Sequence, residues 1–168
     1  RKAVYKSKFL GKILAYFSNC FQLKILAFYK DKEIVELIQN VKKEVNFAFF
    51  PIEAFVLHSI VKSQSVLEGE MAEVGVFQGG SSKIICEAKR NRKLHLFDTF
   101  SGLPSVSEKD THFGMKYWKN NQFNNTSEDS VKKYLSKYDN VFIYSGKFPE
   151  TGKFVIGKKF SFVHLDVD

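Results

Sequence analysis

Between Lys8 and Tyr29 the apolar residues Leu10, Ile13, Leu14, Phe17, Phe21, Ile25 and Phe28 recur at three- and four-residue steps, the period of one helix face. Ile34, Leu37, Ile38 and Val41 repeat that spacing through the more charged stretch Asp31 to Glu44, which predicts a second, solvent-facing helix. Phe47 to Phe50 run into Pro51, a break, and Phe55, Val56, Ile60 and Val61 mark a third helix over Ile52 to Ser65. The pattern then changes. Met71 to Val76 is a short apolar run that ends in the turn Gly79-Gly80 and continues as a helix carrying Ile84, Ile85, Cys86 and Ala88. After the basic run Lys89 to Lys93, a second strand, Leu94 to Phe97, ends on Asp98. Thr99 to Asn125 shows no period and reads as a long loop whose aromatics Phe100, Phe113, Tyr117, Trp118 and Phe123 suit a lid, a substrate surface or an anchor to the body. Thr126-Ser-Glu-Asp opens a capped helix through Val131, Tyr134 and Leu135, and Asn140 to Tyr144 is a third strand. Phe148 to Thr151 with Gly152 is a turn or short helix, and Phe160 to Leu165 a buried fourth strand. Strands alternating with helices predict an α/β fold, a Rossmann-like doubly wound and mainly parallel sheet preceded by N-terminal helices. Residues 1–65 form the helical region and 66–168 the sheet domain.

In an open parallel sheet, ligands bind beyond the carboxyl ends of the strands, where backbone approaches closely only if side chains are absent. Gly75, Gly79 and Gly80 are expected to clear that space. Asp98 lies 23 positions after Gly75, about the separation at which an acid after the second strand meets the ribose hydroxyls of a nucleotide-like ligand. The N–H groups that open the helix near Ser81 and Ser82 favour a carboxylate or phosphate. Glu73 would order the turn, with Val76, Phe77 and Thr99 flanking the ligand, and Ser145-Gly146 would add a contact to its adenosine end. A bare turn cap and a bare strand end are the plainer readings of Gly79-Gly80 and Asp98; their joint spacing favours an adenosine-containing cofactor. The dinucleotide fingerprint G-x-G-x-x-G places its second glycine where this chain carries Phe77, which argues against a pyrophosphate. The S-adenosylmethionine pattern E-x-G-x-G-x-G is matched by Glu73, Gly75 and Gly79 and departs at the same Phe77.

Four segments carry a resemblance: Glu73-Val-Gly-Val-Phe-Gln-Gly-Gly-Ser81, Phe97-Asp-Thr-Phe-Ser-Gly-Leu-Pro104, Ser145-Gly-Lys-Phe-Pro-Glu-Thr151 and Phe162-Val-His-Leu-Asp-Val-Asp168. In this order they resemble the macrocin O-methyltransferase (TylF) family over about residues 69–168. The resemblance implies a class I S-adenosylmethionine-dependent enzyme that methylates sugar hydroxyls with a divalent metal, Mg²⁺. Alternation along the last strand puts Asp166 and Asp168 on one side. On spacing alone a solvated strand end is preferred there; the resemblance implies metal ligands, with Asp166 catalytic in orienting and acidifying the acceptor. Sheets of this class continue past a fourth strand, so the domain is expected to be the first part of a longer one. Two alternatives stand beside this reading: a nucleotide- or NAD-binding oxidoreductase or sugar-nucleotide enzyme on the same fold, and a non-catalytic domain that docks on a membrane or a partner.

Charge adds one feature. There are 26 basic and 18 acidic residues, a formal net of +8, and residues 1–50 hold 10 basic against 4 acidic. Such an excess suits an anionic partner, although a lysine-rich surface serves solubility alone, and no nucleic acid partner is expected. The first helix, residues 8–29, either lies on an anionic membrane as a peripheral contact or packs on the body or on a second subunit of a homo-oligomer; packing is preferred. Cys20 and Cys86 lack pairing or metal spacing and read as reduced buried thiols, and His58 reads as a core or surface residue. The expected compartment is the cytoplasm; the chain does not begin with Met, so a preceding segment is left open.

Overall fold

The computed structural model describes residues 8–103, 111–112, 115–116 and 122–167. Asp168 and the aromatics Phe113, Tyr117 and Trp118 lie outside the described residues. Three helices come first, α1 (Lys8–Tyr29), α2 (Lys32–Glu44) and α3 (Pro51–Gln64). They are followed by β1 (Glu70–Val74), α4 (Gly80–Ala88), β2 (Leu94–Asp98), the short pair β3 (Thr111–His112) and β4 (Met115–Lys116), α5 (Glu128–Tyr134), β5 (Val141–Ser145), a 3-10 turn (Glu150–Val155) and β6 (Phe160–Leu165). The stretch read as a bare loop therefore contains an antiparallel hairpin, β3 with β4.

The main sheet has the order β5-β2-β1-β6, with every neighbouring pair parallel. Counted along the chain, its strands lie 3-2-1-4, half of a doubly wound sheet, and the order reverses between β1 and β6. Alternation along the strands sends Met71, Leu94 and Leu96 to one face, where they meet Ile38 and Val41 of α2, Val61 of α3, Ile84 and Ile85 of α4 and Val131 of α5 in one buried cluster. Each fully buried Leu, Ile or Val there contributes roughly 1.5–3 kcal/mol. Helix α2, expected to face solvent, thus sends Ile34, Ile38 and Val41 into the core with Leu37 packed against it, and the boundary at residue 65 separates elements that share one hydrophobic cluster. The opposite face carries Ala72, Val74 and Phe97 under Tyr144, Val155 and Phe160, covered by the 3-10 turn. Helix α5 starts at Ser127, whose Oγ accepts from Ser130 N–H at 3.1 Å while Ser130 Oγ accepts from Ser127 N–H at 3.0 Å, a reciprocal cap of about 1 kcal/mol.

β6 is not the buried strand expected. It pairs only with β1 among the described residues, and Val163 and Leu165 remain 48% and 64% exposed. A strand with one neighbour keeps an open edge. At the amino ends of the strands His95, buried on β2, stacks on Phe142 and bonds Tyr144 through Nδ1 at 3.0 Å and Glu70 through Nε2. Lys158 reaches the same Glu70 at 2.8 Å, so this polar cluster pins β1, β2, β5 and the entry to β6 at the end away from the turn Gly75–Gly80.

Candidate functional site

β1 stops at Val74 and the chain leaves it through Gly75 at φ +91°. Phe77 follows at φ +52°, a left-handed conformation that costs a bulky residue about 1–2 kcal/mol and needs outside support. Asp98, at the end of β2, supplies that support: Oδ2 accepts from Val76 N–H at 2.7 Å and Phe77 N–H at 2.8 Å, and Oδ1 accepts from Phe100 N–H at 2.8 Å. Thr126 Oγ1 donates to the Phe77 carbonyl, and the Phe77 ring stands edge-on to Phe123 at 5.1 Å. The acid placed by spacing near a ribose therefore also holds the glycine turn in shape.

The turn borders a cavity of about 640 Å³, within the usual range for small-molecule sites. It lies beyond the carboxyl ends of β1, β2 and β6, beside the strand-order reversal. Its walls come from Val74, Gly75, Val76 and Phe77; from Gly80 and Ser81 at the start of α4; from Phe97, Asp98 and Thr99; from Gly146, Lys147 and Phe148 after β5; and from Asp166 and Val167 after β6. Of the residues expected from sequence, Gly75, Val76, Phe77, Ser81, Asp98, Thr99, Gly146 and Asp166 line this space together. Glu73, Gly79, Ser82 and Ser145 stand outside its lining. Glu73 is fully buried behind the turn, where it accepts from Ser82 Oγ and pairs with His164 Nδ1 at 2.9 Å. It joins β1, α4 and β6 as an ordering residue. Burial pulls the His164 imidazole down, but the bond to Glu73 and its charge outweigh this and raise the pKa above the usual histidine value.

The glycines also admit the protein's own chain. A Cβ built on Gly75 would lie 1.9 Å from the backbone oxygen of Asp166, one on Gly79 would meet Tyr134 and Val131, and one on Gly80 would lie 2.6 Å from the Phe47 ring. The space each glycine clears is filled by this protein's own chain, which brings β6, α5 and the α2–α3 connection close around the turn. Helix α4 is capped by Gly79 with no side-chain hydrogen bond, so its first N–H groups carry no capping acceptor beside Ser81.

Sequence reasoning missed one wall. Asn46, Phe47, Ala48 and Phe49, between α2 and α3, close the cavity from the helical region. Gln78 ties them to the far rim, accepting from Asn46 N–H at 2.7 Å and donating to the Asn125 carbonyl at 2.8 Å. The available signal was the aromatic run before Pro51, too rich in Phe for a solvated linker.

The family model for macrocin-O-methyltransferase (TylF) matches residues 56–168. The chain belongs to that family. No curated protein matches it in sequence. Solved structures share the fold. The SAH-bound methyltransferase PaMTH1 of Podospora anserina has 15% identity and a TM-score of 0.50 over 82% of this chain and 50% of that one. The calicheamicin methyltransferase CalS11 has 15% identity and a TM-score of 0.54 over 82% of this chain and 68% of that one. This TylF-family chain thus spans half the length of PaMTH1 and about two thirds of CalS11.

Among the described residues no three His, Cys, Asp or Glu side chains group so as to hold a metal ion. Asp166 is one of the residues lining the cavity, and Asp168, its expected companion, lies outside the described residues. No helix among the described residues is long and apolar enough to cross a membrane.

Proposed function

We propose that this chain carries the S-adenosylmethionine site of an O-methyltransferase whose acceptor is a sugar or glycan hydroxyl. The observation that carries the reading is the convergence of Gly75, the start of α4, whose Gly79 cap offers no side-chain acceptor, and Asp98 on one cavity at the carboxyl ends of the strands. Family membership supports it, as does the likeness in fold to PaMTH1, which binds SAH, and to CalS11, a calicheamicin methyltransferase.

S-adenosylmethionine supplies the electrophilic methyl group. Backbone at Gly75 and the open N–H groups of α4 would receive its amino-acid end, whose carboxylate suits a helix N-terminus. Asp98 Oδ1 accepts one backbone bond and keeps capacity for a ribose hydroxyl. Phe47, Phe49 and Phe148 wall the cavity against water. Asp166 would orient the acceptor hydroxyl and take up its proton as the oxygen attacks. Charge is neutralised along this path, from sulfonium to thioether, so placement in line contributes more than any strong acid. The Mg²⁺ expectation depends on Asp168 and donors beyond the described residues, and no step here uses it.

The alternative of a pyrophosphate ligand is disfavoured by Phe77, whose ring stands at the second glycine position of the dinucleotide fingerprint. Calorimetric titration of the full-length protein with S-adenosylhomocysteine and with NAD tests the reading. Micromolar binding of the first alone is expected, weakened at least about tenfold by Asp98→Asn, roughly one charge-assisted hydrogen bond. Absence of S-adenosylhomocysteine binding, or equal binding of NAD, would overturn it. Transfer of labelled methyl to sugars rather than catechols, with and without EDTA, tests the acceptor class and the metal.

A further inference from the structure

Helix α1 meets the body along one side, through buried Leu26, the bond from Ile52 N–H to Gln22 Oε1 at 3.2 Å, and Lys30 over the Phe55 ring at 4.6 Å. Its other side faces solvent. Leu14, Phe17, Phe21 and Phe28 are 49, 64, 66 and 92% exposed, and Lys24 is exposed on the same stripe. Leu14, Phe17, Phe21, Lys24 and Phe28 follow one another at steps of three, four, three and four, the 3.5-residue repeat of a helix–helix seam.

We propose that two copies of this chain pair through this stripe, with their α1 helices antiparallel about a two-fold axis at the level of Asn19. The stripe is self-complementary in that orientation alone. Phe17 of one copy lies across from Phe21 of the other, Leu14 across from Lys24, and Phe28 across from position 10, which holds Leu. A two-fold interface requires such reciprocal pairs. In a parallel pair Lys24 would face its own copy, and like charges repel. In the antiparallel pair the Lys24 methylenes cover Leu14 and the ammonium reaches water. Scaling ~200 Å² per fully exposed phenyl ring by these exposures, the three rings with Leu14 and the Lys24 stem offer about 600 Å² per protomer, or 1,200 Å² per pair, the lower limit of a specific interface. A membrane surface is the weaker occupant, because a helix lying in a bilayer interface keeps its charges on the polar side, whereas Lys24 interrupts the apolar stripe.

Light scattering of the full-length protein is expected to give twice the monomer mass, and Phe17→Glu with Phe21→Glu is expected to give the monomer with an unchanged circular dichroism spectrum, since both rings are exposed on the single chain, and with a melting temperature that no longer depends on protein concentration. Orientation is read by oxidative cross-linking in a Cys20→Ser background. Burial pushes the remaining Cys86 thiol up to about 12, which keeps it silent. Leu14→Cys with Lys24→Cys should cross-link between copies, and Leu14→Cys alone should not, because its copy lies ~15 Å away along the axis. A monomeric wild type, a dimer indifferent to the two Glu substitutions, or cross-linking by Leu14→Cys alone would each overturn the proposal. A monomer that sediments with phosphatidylglycerol vesicles and is released by salt would assign the stripe to a membrane instead.

Discussion

Replacing Gly75 by Ala tests how the site is assembled. The residue sits at φ +91°, and the new methyl would lie 1.9 Å from the Asp166 carbonyl oxygen and 2.8 Å from its carbon. An ordinary C···O contact is about 3.3 Å, so the end of β6 must withdraw by roughly 1.4 Å. Withdrawal strains the Asp166 N–H bond to the Val74 carbonyl, 2.9 Å long, which contributes about 1 kcal/mol. Alanine in the left-handed region adds about 1–2 kcal/mol. A loss near 3 kcal/mol lowers the melting temperature of a domain this size by about 6–12 °C. Gly157 is the control. It has φ +80°, and nothing lies within 4 Å of a Cβ built there, so Gly157→Ala carries only the same conformational cost of about 1–2 kcal/mol. Urea denaturation followed by circular dichroism compares the two. Equal losses in both variants would refute the claim that Gly75 exists to admit β6. A large excess for Gly75→Ala, together with weakened S-adenosylhomocysteine binding, would support it, because Asp166 and Val167 form that wall of the cavity.

Burial pushes the Glu70 carboxyl up, but hydrogen bonds from Lys158 and His95 outweigh it and hold its pKa at about 2. Its pairing therefore stabilises the fold fully above pH 4.5 and is lost as pH falls toward 2; Glu70→Gln should flatten the acid limb of a stability–pH curve by about 2 kcal/mol after solvent screening. His164 carries the opposite sign. Its raised pKa means that the Glu73 pairing stabilises fully below pH 6.5 and fades as pH rises through the folded value, so His164→Gln should remove that decline in a wild-type-minus-variant comparison, where the His95 contribution cancels. Cys86, buried with its thiol pushed up to about 12, should resist iodoacetamide in the native protein while partly exposed Cys20 reacts; fast labelling of both would contradict the packing of α4.

The strand–turn–helix unit and its cavity residues were legible because local patterns dictate them. A run of Met, Ala and Val with a glycine turn and an acid 23 positions on allows few other arrangements, and Gly75, Ser81, Asp98 and Thr99 do converge on one cavity. The helices were equally plain from the 3.6-residue period, down to the Lys8–Tyr29 bounds of α1. Residue spacing does not state which face of an element finds a partner. Period alone could not show that Ile38 and Val41 enter the same cluster as Met71, that β6 pairs with β1, or that Phe47 and Phe49 wall the cavity from the helical region. Nor could it show that the gaps left by Gly75 and Gly80 are filled by Asp166 and Phe47, since these contacts join residues far apart in the chain. Glu73 makes the same point: the sequence marks an acid in an apolar strand, and only the packing of α4 and β6 against that strand directs it to Ser82 and His164, behind the cavity wall.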